Sequence, residues 1–278
     1  MSNDKIGAAK SILITGCSKD GLGYELAKSM FAAGWIARDM PKLEGLAPGI
    51  LRVELDLIDA ASVGRAAEKA LALSHGRVDV IVHNAGVKIL VPLIEQTQRQ
   101  IAEQSRLALD GPLLLTQALI RPLVDHGDGQ LVSKSGRRGI SVLKAAHHAL
   151  SDALRAELRP FGVDVKVLRL GAVNTQLFKD VQDLPSTSLY AKAADLPRRT
   201  LKSFLAMKPI EVTLASDWLA SRIVAGDAKN YEYFGPSARL MGLAYYFKRD
   251  LLPNLVAKRH GLGRVETSQA IARHGKRY

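Results

Sequence analysis

Chemistry is first suggested near the amino end, where Ile12-Leu13-Ile14-Thr15-Gly16-Cys17-Ser18-Lys19-Asp20-Gly21-Leu22-Gly23 turns from a short apolar run through glycines straight into an amphipathic stretch. Gly16, Gly21 and Gly23 let the backbone approach a pyrophosphate without side-chain obstruction, and the N–H groups and dipole of the following helix favour the anion. A charge at a helix terminus gains only about 0.3–1 kcal/mol, so this turn implies dinucleotide binding and leaves the chemistry to other residues. Proton handling near neutrality suits His147 and His148, which otherwise serve helix packing. Tyr190 is a second candidate, or else an anchor of its own loop. No histidine pair has a carboxylate at ligand spacing on one face, so no metal site is expected.

The elements that must position these residues alternate. Residues 50–56 read as a strand, Ala60 to Ser74 as a helix, and Val78 to Asn84 as a buried strand ending in Asn84-Ala85-Gly86. Leu107 to Leu123 reads as a long helix, Gln130 to Ser133 as a strand, Lys144 to Leu158 as a helix and Val163 to Leu168 as a strand. Strands and helices at this pitch make right-handed βαβ units, hence an α/β fold: a Rossmann-like, doubly wound parallel sheet in three layers. The 278 residues suit a single domain. Within it, 10–175 forms a cofactor-binding core, 176–210 a loop-rich lid without periodicity, and 238–278 a C-terminal extension.

Composition sets outer bounds. The one cysteine, Cys17, excludes a disulfide framework within the chain and fits a reducing compartment. It is either a reactive thiol or a small residue packed in the turn. The opening residues hold no apolar signal region, and no stretch is expected to reach the roughly 18 apolar residues of a transmembrane span, which implies a cytoplasmic protein. The net charge of +12 is spread along the chain rather than gathered with aromatics, so no nucleic-acid partner is expected. Apolar bursts within 240–262 fit either packing across a cleft or peripheral contact with an intracellular membrane. Assembly as a homo-oligomer stays open.

The chain resembles the short-chain dehydrogenase/reductase family over roughly residues 10 to 235. Thr15-Gly16 with Gly21-Leu22-Gly23 is similar to the family's cofactor loop, one residue longer than its commonest form. Asp56 matches the acidic residue that contacts adenine, and Asn84-Ala85-Gly86 the tripeptide closing the fourth strand. The stretch Gly171-Ala172-Val173-Asn174-Thr175 matches the part that holds the nicotinamide carboxamide, with Leu170 where the family has proline. Segments Leu184–Tyr190 and Met207-Lys208-Pro209, with the terminal region 240–262, resemble the fungal branch around 1-acyl-dihydroxyacetone-phosphate reductase.

The resemblance implies site roles as well. Thr15, Gly16, Ser18, Lys19, Gly21, Leu22, Gly23, Arg38, Asp56, Asn84, Lys144, Val173 and Thr175 would hold the cofactor. Arg38 and Lys19, read as partners of a 2′-phosphate, favour NADP(H) over NAD. Lys144 matches the catalytic lysine, and Ser135 or Gly136 falls at the serine that polarises the substrate oxygen. The catalytic tyrosine position falls on Ile140 and the relay asparagine on Ala108. The nine-residue step from Ser135 to Lys144 is shorter than in the family, and residues 35–38 are short for its second strand. The implied function is an NADP(H)-dependent reductase or dehydrogenase acting on a lipophilic small molecule, in lipid or secondary metabolism. The alternative is a catalytically silent member that binds a ligand or partner.

Overall fold

Runs of β-branched and aliphatic residues form the centre of the sheet because parallel strands are covered on both faces. Strands β1 (Ser11–Ile14) and β4 (Val80–His83) are buried along their whole length. The computed structural model describes residues 10–39, 50–86, 91–125, 127–136, 142–175, 181–191, 194–227, 229–236 and 238–239; for 36–39, 135, 136 and 142–144 it describes the backbone alone. The remaining strands are β2 (Ile36–Asp39), β3 (Leu51–Arg52), β5 (Gln130–Gly136), β6 (Asp164–Leu170) and β7 (Tyr231–Phe234). All seven lie in one sheet of order β3-β2-β1-β4-β5-β6-β7, with every pairing parallel. The order reverses between β1 and β4, and ligands of doubly wound sheets bind at the carboxyl ends of the strands at that switch.

Helices α1 (Leu22–Ala32) and α7 (Val212–Ala225) pack together on one face. Ile12, Ile14, Leu26, Met30, Leu219 and Ile223 form the core there. The other face carries α2 (Ala60–Leu73), α4 (Gly111–Asp125) and α5 (Val142–Leu158), over a core that includes Leu13, Ile81, Leu115, Leu119 and Leu131. Each such side chain contributes about 1.5–3 kcal/mol on burial. Asp59 caps α2 by accepting from the N–H groups of Ala61 and Ser62.

Several sequence expectations change. The second strand is present despite its length: four residues suffice because Ser11, Ile12 and Leu13 of β1 pair with Ile36, Ala37 and Arg38 on one side, and β3 pairs on the other. Residues 50–56 keep the expected alternation, with Val53 and Leu55 buried and Glu54 and Asp56 exposed, but only Leu51 and Arg52 pair as strand. The stretch 176–210, expected as a loop-rich lid, is not wholly loop among its described residues. It contains helix α6 (Leu196–Leu205), which Asp195 precedes and whose Phe204 packs with Ala172.

Helix α3 (Gln98–Ser105), a π-helical turn at Arg106–Asp110 and α4 run on as one 28-residue helix, Gln98–Asp125. By length and composition that run could cross a membrane, against the expectation that no stretch would. Here it is instead a helix packed on the sheet: α4 lies against α2 and β4, with Leu115, Leu119 and Leu123 fully buried. The region 240–262 lies outside the described residues.

Candidate functional site

The glycine turn sits at the switch point, immediately after β1. Thr15 is buried and its backbone N–H bonds to the Val82 carbonyl at 3.0 Å, which ties the turn to β4. The Thr15 hydroxyl oxygen accepts the backbone N–H groups of Asn84 at 3.2 Å and Ala85 at 3.1 Å. In return the Asn84 amide donates to the carbonyls of Thr15 and Gly16, both at 2.9 Å. Thr15 and Asn84 therefore brace the loop from beneath and fix its backbone.

Close approach explains the glycines. Gly16 has φ +75° and a Cβ there would lie 2.5 Å from the Ala85 Cα. A Cβ on Gly23 would lie 2.6 Å from Asn84 Nδ2, 2.7 Å from Cys17 Sγ and 2.8 Å from the Gly16 oxygen. The extra residue of the loop is absorbed at Asp20, which takes φ 58° so that the Gly21 N–H can close back on the Ser18 carbonyl at 2.9 Å. Gly21 caps α1 without a side-chain hydrogen bond, so the first N–H groups of that helix keep their capacity for an anion. Ser18 and Lys19 are exposed beside this turn, while Leu22 is buried and can offer only its backbone. Cys17 is a free thiol buried in the same packing.

The other expected cofactor positions lie in or after strands β2, β3 and β6. Asp56 follows β3, exposed, with Oδ1 accepting the Ile58 N–H at 3.0 Å. Arg38 lies in β2 opposite Leu13, with its side chain outside the described residues. Val173 follows β6 and bridges Ile210 in parallel, held by Ile210 N–H to Ala172 O and Asn174 N–H to Ile210 O, both at 2.9 Å. Thr175 is half-buried just beyond. These fixed loops and the tight glycine turn fit a dinucleotide cofactor.

For Ser135 and Lys144, the expected catalytic pair, the backbone gives the place. Ser135 is the penultimate residue of β5, opposite Arg169 of β6, and Lys144 lies in the first turn of α5. Both side chains, and the whole of Ile140, lie outside the described residues. Ala108 lies in the π-helical turn, where a histidine meets its carbonyl: His147 Nδ1 is 2.8 Å from Ala108 O. A carbonyl only accepts, so Nδ1 carries a proton. His148 faces the other way, with Nδ1 2.9 Å from Arg169 Nη2. Tyr190 is half-buried in the lid, its N–H bonded to Ser188 Oγ at 2.9 Å. Among the described residues no group of three or more metal-ligating side chains occurs.

Two features escaped the sequence. His83, the last residue of β4, is fully buried, and burial with a smaller contribution from His147 pushes its pKa down to about 3. Glu95, in a short 3-10 turn at Leu93–Glu95, accepts hydrogen bonds from lid residues 93 and 94 positions further along the chain. The first carries only the signal of a polar residue in an apolar strand, and the second carries none.

A family model described as short chain dehydrogenase matches residues 10–185. A short-chain dehydrogenase/reductase of Pestalotiopsis microspora is 28% identical over 96% of this chain and 100% of its own length. The short-chain dehydrogenase ptmH of Penicillium ochrochloron is 33% identical over 65% of this chain and 72% of its own. Among solved structures, a short-chain dehydrogenase from Streptomyces avermitilis superposes with TM-score 0.71 at 26% identity, covering 91% of this chain and 98% of that one. A short chain dehydrogenase from Burkholderia cenocepacia, crystallised in complex with NADP, gives 0.68 at 21% identity over 89% and 97%.

Proposed function

Since the chain belongs to the short-chain dehydrogenase/reductase family of oxidoreductases, we propose that it binds NADP(H) and interconverts a carbonyl and an alcohol on a lipophilic small molecule. The observation that carries this reading is the brace between Thr15 and Asn84, which holds a glycine turn open to the uncapped end of α1. The phosphate-bearing cofactor is favoured by Lys19, exposed at the turn, and by the placing of Arg38 in β2. NADP(H), once bound, supplies the hydride. This chain's residues orient it, Lys144 holding the ribose and Ser135 the substrate oxygen. A lipophilic substrate is favoured by Leu93, Ile94 and Leu189, which are 57%, 71% and 50% exposed around Glu95. The compartment we assign is the cytoplasm.

Titration of the full chain with NADPH is expected to change the cofactor's fluorescence saturably, and more tightly than NADH; a signal unchanged by either cofactor overturns the reading.

One observation favours a second reading, a silent member that binds without turnover: Ile140 stands at the tyrosine position. A positioned acid supplies about 10²–10⁴-fold, so Ile140→Tyr is expected to raise carbonyl reduction by about that factor in the reductase reading, with NADPH affinity unchanged. Intact NADPH binding without any gain in turnover would favour the silent reading.

A further inference from the structure

Strand order places one acidic residue where it can act on the site from a distance. In the sequence of neighbours β4-β5-β6, the turn Leu93–Glu95 follows β4 and the segment 181–191 follows β6, so the chain reaches these two segments from the strands on either side of β5, which carries Ser135 near its carboxyl end. They are joined. The Glu95 carboxylate accepts the Ser188 hydroxyl, with oxygens at 2.9 and 2.8 Å, and the Leu189 backbone N–H at 2.6 Å. Ser188 is also the organiser of its own loop: its N–H bonds to Pro185 O at 3.0 Å, its carbonyl accepts from Ala191 N–H at 3.0 Å and its hydroxyl oxygen from Tyr190 N–H at 2.9 Å. At the near end Leu184 is buried, with its N–H bonded to Ala194 O at 2.9 Å. The strap is thus wound tightly, rooted at Leu184, and fastened across the gap at Glu95 alone among the described side chains.

We propose that Glu95 is a positioning residue of the reaction: by clasping Ser188 and Leu189 it holds segment 185–191 as a strap over the carboxyl end of β5, and its release sets the rate at which the nicotinamide half of the cofactor and the substrate leave. The cofactor part rests on the reductase reading; the strap itself does not. A carboxylate suits the task because it accepts two donors at once with charge assistance.

The test uses the full chain with chymotrypsin, which cuts after Leu189 and Tyr190, and stopped-flow release of NADPH. Glu95→Ala is expected to speed cleavage in 184–191 about tenfold, the factor that ~1.4 kcal/mol of lost hydrogen bonding gives, and to speed NADPH release by a similar factor with its association rate unchanged. Ser188→Ala is expected to act in the same direction and more strongly, because it also removes the acceptor of the Tyr190 N–H. Glu95→Gln keeps one acceptor oxygen, which can take both donors at the Oε1 place, and should return part of the protection. Cleavage at the wild-type rate in Glu95→Ala and Ser188→Ala overturns the proposal, and Ser188→Ala decides it if Glu95→Ala does not fold. A wild-type chain that binds no NADPH overturns the cofactor reading instead, while the cleavage ratio still decides the strap.

Discussion

Gly23→Ala is expected to weaken NADPH binding by about 10- to 100-fold, the consequence of roughly 1–3 kcal/mol of overpacking at the base of the cofactor loop. The added methyl would meet three atoms at once, and none can yield independently. Asn84 Nδ2, 2.6 Å away, is committed to the Thr15 and Gly16 carbonyls; the Gly16 oxygen at 2.8 Å is backbone; and Cys17 Sγ at 2.7 Å is itself buried. Relief requires moving the amide that braces the turn, so the N–H groups that face the pyrophosphate move with it. Fluorescence titration reads the affinity, and a thermal melt should show a parallel loss of stability. Gly64→Ala is the control: nothing lies within 4 Å of a Cβ there, its φ is not in the left-handed region, and it sits inside α2. That variant is expected to gain about 0.5–1 kcal/mol with NADPH affinity unchanged. If Gly23→Ala bound NADPH as the wild type does, the glycine turn would not be the pyrophosphate seat.

The same turn was legible in the sequence because its determinants are local: a strand, glycines where backbone must approach backbone, and a helix start. The βαβ alternation was legible for a like reason, since burial on both faces of a parallel sheet dictates composition. What stayed hidden depends on partners far along the chain. The stretch 35–38 reads as too short for a strand, yet Ile36–Asp39 is one because both β1 and β3 present edges to it. Leu196–Leu205 lies in a stretch rich in proline, serine and threonine, and becomes helical with Pro197 in its first turn, where a missing N–H costs nothing. Glu95 reads as an ordinary surface acid until the fold brings Ser188 to it. The π-helical turn at Arg106–Asp110 is hidden too, although Gly111 marks it: a Cβ there would lie 2.4 Å from the Leu57 carbonyl oxygen, so the helix passes that loop too closely for a side chain.

His83 makes the fold sensitive to acid. Its Nε2 lies 3.0 Å from Thr116 Oγ1, and the threonine hydroxyl spends its own hydrogen on the Pro112 carbonyl at 2.8 Å. The oxygen must therefore accept, which assigns the neutral ring's proton to Nε2 and leaves Nδ1 as a bare lone pair, buried without a partner. A second proton would place an N–H⁺ at Nδ1 with no acceptor and with the His147 ring 6.4 Å away, which is why the pKa falls to about 3. Unfolded, the same residue titrates near 6.5. Between these two values the unfolded chain binds a proton that the folded chain refuses, so stability is fully present above pH 6.5 and is lost as the pH falls towards 3, at up to about 1.4 kcal/mol per pH unit. Over the two units from pH 6.5 to 4.5 the loss from this one side chain is roughly 2–3 kcal/mol, a large share of a typical domain's stability. Urea denaturation of the wild type and of His83→Gln at pH 7 and pH 4.5 isolates it. The glutamine amide nitrogen falls where Nε2 does, keeping an N–H for Thr116, and cannot take up the proton, so His83→Gln starts less stable at pH 7 and loses about 2–3 kcal/mol less on acidification than the wild type. Equal losses in the two chains would mean that the acid sensitivity lies with carboxylates elsewhere and that His83 is protonated in the folded state without penalty.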